Sequence, residues 1–270
     1  MKIKKLDHLS TIFKEYDAFI IDLWGVMHDG VRLNSSAMKA VNELELNGKR
    51  IVFLSNAPRP TKKVVEFLKK MKMEDRFLKN VLTSGEAALN SLKKNKFGEK
   101  FYHLGPQRDD SLFFDIKTNK TTLDKCDFIL CTGLFDEESE NLQFYKDLLK
   151  NFTKKKLVCT NPDLVVHKGG EEEYCAGKIA EIFESLGGKV VYFGKPHKEV
   201  YTSCLKSDQK TLVIGDNLKT DIKGANNMNL DSILITSGVH KSKTINEKLI
   251  DKLLVEHNVT ANYFQKELTW

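Results

Sequence analysis

Ile214-Gly215-Asp216-Asn217-Leu218-Lys219-Thr220-Asp221 decides how this chain folds. The apolar run Leu212-Val213-Ile214 has the character of a buried strand. It meets a glycine and then delivers two carboxylates, Asp216 and Asp221. A helix starting near Lys219-Thr220 aims free backbone N–H groups at the same place. Two carboxylates converging at the carboxyl end of a strand suit a hard cation such as Mg2+. Read alone, the stretch equally fits a surface turn in which Asp216 and Asp221 cap a helix.

Three further apolar runs end in the same way. Ala18-Phe19-Ile20-Ile21 delivers Asp22, and Ile51-Val52-Phe53-Leu54 ends in Ser55-Asn56. Val190-Val191-Tyr192-Phe193 ends in Gly194-Lys195-Pro196. Open parallel sheets bind ligands beyond the carboxyl ends of their strands. The pattern therefore predicts one site assembled from segments far apart in sequence.

Asp22-Leu23-Trp24-Gly25-Val26, Leu54-Ser55-Asn56, Gly194-Lys195-Pro196 and Gly215-Asp216-Asn217-Leu218-Lys219-Thr220-Asp221 resemble, in order and spacing, motifs I to IV of the haloacid dehalogenase (HAD) superfamily. Val26-Met27-His28-Asp29-Gly30, Thr160-Asn161-Pro162-Asp163 and Thr236-Ser237-Gly238 resemble its class IIA branch, which includes nitrophenylphosphatase and nucleotide phosphatase relatives. The resemblance runs from about Tyr16 to about His240. It implies an α/β fold: a Rossmann-like core with a parallel sheet and an inserted α/β cap domain of the C2 type. It also implies a Mg2+-dependent phosphatase of a small phosphorylated metabolite. Asp22 is then the nucleophile that forms an aspartyl-phosphate. Ser55 bonds a phosphoryl oxygen, and Lys195 neutralises that group and orients Asp22. The metal set is Asp22, the Trp24 backbone carbonyl, Asp216 and Asp221, the last either direct or through a second shell. Asn56, Asn161, Asp163 and Asn217 are the candidate substrate contacts.

Trp24 departs from that pattern. Family phosphatases usually carry there a second aspartate, which protonates the leaving oxygen and later activates water. Its loss typically costs ~10²–10⁴-fold in rate. Three readings follow. The enzyme remains a phosphatase with His28 or Asp29 as substitute acid, or it is a catalytically weak protein that binds or senses a phosphometabolite. The third is dehalogenase-like chemistry, against which the Asp216/Asp221 metal pair argues.

Composition bounds the partners. The chain has 270 residues, 41% hydrophobic and 30% charged, ordinary for a globular protein of up to two domains. No run approaches the ~18–20 apolar residues of a membrane span. The basic start, Met1-Lys2-Ile3-Lys4-Lys5, lacks the apolar stretch of a signal peptide. Five cysteines without Cys-x-x-Cys pairs read as reduced thiols, so a cytoplasmic location is expected. The net charge of +6 comes from lysines interleaved with acids, without aromatic partners, and predicts no nucleic-acid binding. A homodimer is left open, because caps in this superfamily often contribute to dimer contacts.

Alternating patterns set the organisation. Asn34-Ser35-Ser36 caps a predicted helix ending at Asn47-Gly48, and Pro60-Thr61 opens an amphipathic one. The expected core comprises residues 1–82 and 189–270, with the cap at 83–188. In the cap, Thr83-Ser84-Gly85-Glu86 starts a helix; residues 101–104, 128–131 and 157–160 are strands, and 173–186 is a helix. Asn161-Pro162-Asp163 fits a substrate contact or a tight turn. His103 and His197 read as structural. The tail around Leu249, Leu253, Phe264 and Trp270 is expected to dock on the core.

Overall fold

The computed structural model describes residues 3–168, 171–238 and 247–270. Two compact units emerge: Met1–Ser55, Val65–Leu82 and Lys195–Trp270 in one, Asn56–Val64 and Thr83–Gly194 in the other.

The first unit is built on seven strands, β1 (Lys4–Lys5), β2 (Ala18–Ile21), β3 (Arg50–Ser55), β4 (Val81–Thr83), β11 (Thr211–Gly215), β12 (Asp231–Ile235) and β13 (Tyr263–Gln265). Their order is β1-β13-β12-β11-β2-β3-β4, and every pairing from β1 to β3 is parallel. All residues of β2 and β11 are buried, as expected for central strands covered on both faces. The strands after β2 lead to one edge of the sheet and those after β11 to the other. The order therefore reverses between β2 and β11, where ligands bind beyond the carboxyl ends. Ile21 pairs with Ile214, so Asp22 and the Gly215-Asp216 turn leave the sheet side by side.

The second unit holds β5 (Phe101–Leu104), β6 (Phe128–Cys131), β7 (Lys156–Cys159) and β10 (Lys189–Tyr192) in the parallel order β10-β7-β6-β5. Alternate residues serve its two faces. Ile129, Cys131, Leu157 and Cys159 pack with Tyr145, Leu149 and Phe183, whereas Phe128, Leu130 and Val158 pack with Ala88, Leu89 and Leu92. An antiparallel hairpin, β8 (Val165–Lys168) and β9 (Glu171–Tyr174), precedes the helix Ala176–Ser185.

Several expectations hold in detail. Asn34 caps the helix Ser35–Leu46 by accepting from the Ser36 N–H, and Thr83 caps Ser84–Leu92 by accepting from the Glu86 N–H. The tail packs as expected: the helix Glu247–Glu256 buries Ile250, Leu253 and Leu254, and Trp270 meets Phe13 at 4.8 Å between ring centroids.

Others do not. Val190–Tyr192, expected among the buried strands of the core, lie in the half-buried edge strand β10 of the second unit, paired with β7, and Phe193 just beyond it is buried. Its β-branched composition does not distinguish an edge from a centre. The second unit accordingly extends to Gly194 and takes in Asn56–Val64, beyond the expected 83–188. The helix expected from Glu173 begins at Ala176, because Glu171–Tyr174 pairs across the hairpin and tertiary pairing overrides propensity. Strands β1 and β13 were not anticipated; two exposed lysines in β1 give no strand pattern.

Candidate active site

Asp22, Lys195, Asp216 and Asp221 come together at the switch point of the seven-stranded sheet. Asp22 follows β2, and its N–H donates to the Ile214 carbonyl at 2.9 Å, locking the start of its loop to β11. Asp216 follows β11 directly. Asp221 lies in a wide helical turn, Leu218–Ile222, that continues into the short helix Lys223–Asn227, so the expected helix start is reached through a π-type turn. One oxygen from each of Asp22, Asp216 and Asp221 lies within 4.8 Å of the others.

Lys195 ties the set together. Its Nζ donates to Asp22 Oδ1 at 2.6 Å and to Asp221 Oδ1 at 2.7 Å, and its side chain is only 3% exposed. Burial alone would pull an ammonium down. The charges of Asp22 and Asp221 outweigh it and hold Lys195 well above the usual lysine range. Lys195 is therefore a fixed cation and a poor proton donor at neutral pH.

The donor set fits a hard divalent ion. Three neighbouring carboxylates, two of them bonded to one ammonium, put more acidic than basic groups in a largely buried place, which suits a cation. Mg2+ binds oxygens at about 2.1 Å, so its ligand atoms sit about 3–4 Å apart, within the spread available here.

The loop after Asp22 is packed with rings. The Trp24 indole meets the His28 ring edge-on at 5.2 Å between centroids, and His28 meets Phe67 at 5.7 Å. A Cβ on Gly30 would lie 2.7 Å from Trp24 Cη2, so the indole rests against a bare backbone. His28 Nδ1 accepts from the Gly30 N–H, and burial pushes its pKa down to about 4. It is a neutral ring engaged in packing. Asp29 Oδ1 accepts from the Arg32 and Val31 N–H groups, which hold its carboxyl below the usual range and ionised at neutral pH. The environments of His28 and Asp29 suit neither to donate a proton at neutral pH.

Ser55 ends β3 and is buried. Asn217 spends its side chain on the turn, accepting from the Lys219 N–H at 2.9 Å, while its own N–H donates to Asp221 Oδ2 at 3.3 Å. The remaining sequence candidates form a cluster within the second unit. Asn56 Nδ2 donates to Asp163 Oδ1 at 3.2 Å, and Asn161 Oδ1 accepts from the Asp163 N–H at 3.0 Å. His103 is buried in the second unit, with its Nε2 2.9 Å from Thr132 Oγ1. Sequence reasoning missed Tyr201, buried beside Asp221, whose carbonyl accepts from its hydroxyl at 3.4 Å. A helical Tyr with no motif around it gives no signal.

A switch-point aspartate thus pairs with a buried lysine beside two more carboxylates. The haloacid dehalogenase-like hydrolase family model matches residues 19–117, and a HAD-hydrolase-like model matches residues 192–260. This chain belongs to the haloacid dehalogenase-like hydrolases. It is similar to the 5'-nucleotidase YutF of Bacillus subtilis, with 23% identity over 87% of this chain and 93% of that one. An acid sugar phosphatase of Staphylococcus aureus is also 23% identical, over 94% and 96% of the two chains. Among solved structures, a haloacid dehalogenase-like hydrolase from Brucella suis superposes with a TM-score of 0.83 at 26% identity, covering 98% of this chain and 100% of its own.

Proposed function

We propose that this hydrolase is a Mg2+-dependent phosphatase of small phosphorylated metabolites, with Asp22 as nucleophile. The observation that carries the reading is the Asp22–Lys195–Asp221 chain of short hydrogen bonds beside Asp216. Relatives named as a 5'-nucleotidase and an acid sugar phosphatase support the substrate class. Asp22, Asp216, Asp221 and the Trp24 carbonyl would hold the metal, which when bound offsets repulsion between an anionic nucleophile and an anionic phosphate.

The protein groups have distinct roles. Lys195 keeps one Asp22 oxygen engaged and so aims the other; its charge also draws the phosphoryl group in. An Asp22 oxygen attacks phosphorus, the bond to the leaving oxygen breaks with its electron pair, and water then releases inorganic phosphate. Ser55 donates to a phosphoryl oxygen. Asn56, Asn161 and Asp163 contribute to substrate choice.

Trp24 has no acidic proton to give, and His28 and Asp29 are occupied otherwise. This favours a second reading, in which turnover is weak and the protein binds or senses a phosphometabolite. The test is Mg2+-dependent phosphate release from aryl, acyl, sugar and nucleotide phosphates, with Asp22→Asn as control. Release that needs both Mg2+ and Asp22 supports the phosphatase. Silence across the panel, with phosphometabolite binding intact, supports the sensor.

A further inference from the structure

Glycines in this chain serve two different purposes. Gly48 and Gly187 have φ of +69° and +87°, and a side chain on either would meet nothing within 4 Å; these turns need only the left-handed backbone. Gly238 is the reverse case. Its φ lies outside the left-handed region, yet an added Cβ would fall 1.8 Å from Asp216 Oδ2 and 2.5 Å from its Cγ. Gly25 combines both, with φ of +89° and an added Cβ 2.1 Å from the same Asp216 Oδ2. Atoms in contact sit about 3.5–4 Å apart, so neither side chain fits while Asp216 stays where it is.

Sheet register explains the convergence. Ile214 pairs with both Ile21 and Ile233, so the loops after β2, β11 and β12 leave together. Gly25 lies on the first, Asp216 on the second and Gly238 on the third. Asp216 is 2% exposed and has no open solvent to swing into. Gly215 backs Asp221 in the same manner, with an added Cβ 2.1 Å from Asp221 Cγ.

We propose that Gly25 and Gly238 are positioning residues: their bare backbones, approaching from two loops, fix the Asp216 carboxylate in its metal-binding orientation. The inference rests on the divalent-metal reading above. A contact of this kind acts like the outer-shell partners of metal ligands, whose loss costs about 10–100-fold in metal affinity.

The test is Mg2+ titration by isothermal calorimetry of the wild type, Gly238→Ala, Gly25→Ala and Gly48→Ala. Gly238→Ala and Gly25→Ala are expected to bind Mg2+ at least about tenfold more weakly. Gly48→Ala, which carries backbone strain without a clash, should bind like the wild type. Wild-type affinity in a folded Gly238→Ala variant overturns the inference while leaving the metal reading intact. A wild type that binds no divalent ion overturns both. Melting temperatures measured in EDTA give a second readout that needs no metal. The loss caused by Gly25→Ala should shrink by more than half in an Asp216→Ala background, where the clashing oxygen is gone but the φ strain is unchanged. Equal losses in the two backgrounds, or failure to fold in both, overturn the inference.

Discussion

Lys195 Nζ donates to Asp22 Oδ1 at 2.6 Å, joining residues 173 positions apart in a site where both side chains are at most 9% exposed. The contact orients the carboxylate. Asp22→Asn keeps the size and removes the nucleophilic charge, so turnover should fall below detection. Binding of a phosphometabolite, read by calorimetry, should weaken much less. Residual Mg2+-dependent turnover by Asp22→Asn would remove Asp22 from the nucleophile role.

Lys195 also meets Asp221, so removing it leaves two buried carboxylates without their shared ammonium. Breaking a buried pair from one side costs about 3–5 kcal/mol. Lys195→Met should therefore lower the melting temperature markedly and abolish activity. Because the site becomes more negative, added Mg2+ should raise the variant's melting temperature by more than it raises the wild type's. An equal or smaller Mg2+ effect would count against a shared cation site.

The parts of the site legible in the sequence are those delivered by strand ends. Asp22 and Asp216 follow apolar runs buried on both faces, and that pattern is hard to mistake. Lys195 was legible through its motif, although the strand before it belongs to the other unit's sheet. Edge and centre strands share composition, and only pairing separates them. The hairpin β8–β9 was hidden for a related reason: Glu171-Glu172-Glu173 favours helix locally, and a cross-strand partner decides otherwise. The fit of Gly25 and Gly238 against Asp216 was invisible, because a glycine selected for space looks in sequence like one selected for a turn.

On the proposed phosphatase reading, Trp24 makes the leaving group the sensitive part of the reaction. With no aspartate there, substrates whose leaving oxygen departs unprotonated should be favoured, so aryl and acyl phosphates should exceed alkyl phosphates in kcat/KM. Trp24→Asp should raise alkyl-phosphate turnover by about 10²-fold or more and change aryl-phosphate turnover little. The indole lies against Gly30 and His28, so the variant should also melt lower. Equal alkyl and aryl rates in the wild type would mean that another group supplies the proton.

His103 offers a pH test independent of catalysis. Burial, aided by Lys120, pushes its pKa down to about 4 from an ordinary value near 6.5. The folded protein therefore binds fewer protons here than the unfolded chain between those values, and stability rises with pH across that window. Its contribution is fully present above about pH 6.5 and is lost as pH falls towards 4, at most about 3 kcal/mol. Asp110, 3.3 Å from Nδ1, pulls the other way, and the value of about 4 is the net of these influences. His28, shifted the same way, adds to the same window. His103→Gln can keep a hydrogen bond to Thr132 without titrating. Thermal melts from pH 7.5 to 4.5 should show the wild type losing stability more steeply than His103→Gln. Parallel curves would mean that His103 charges in the folded protein as readily as in water.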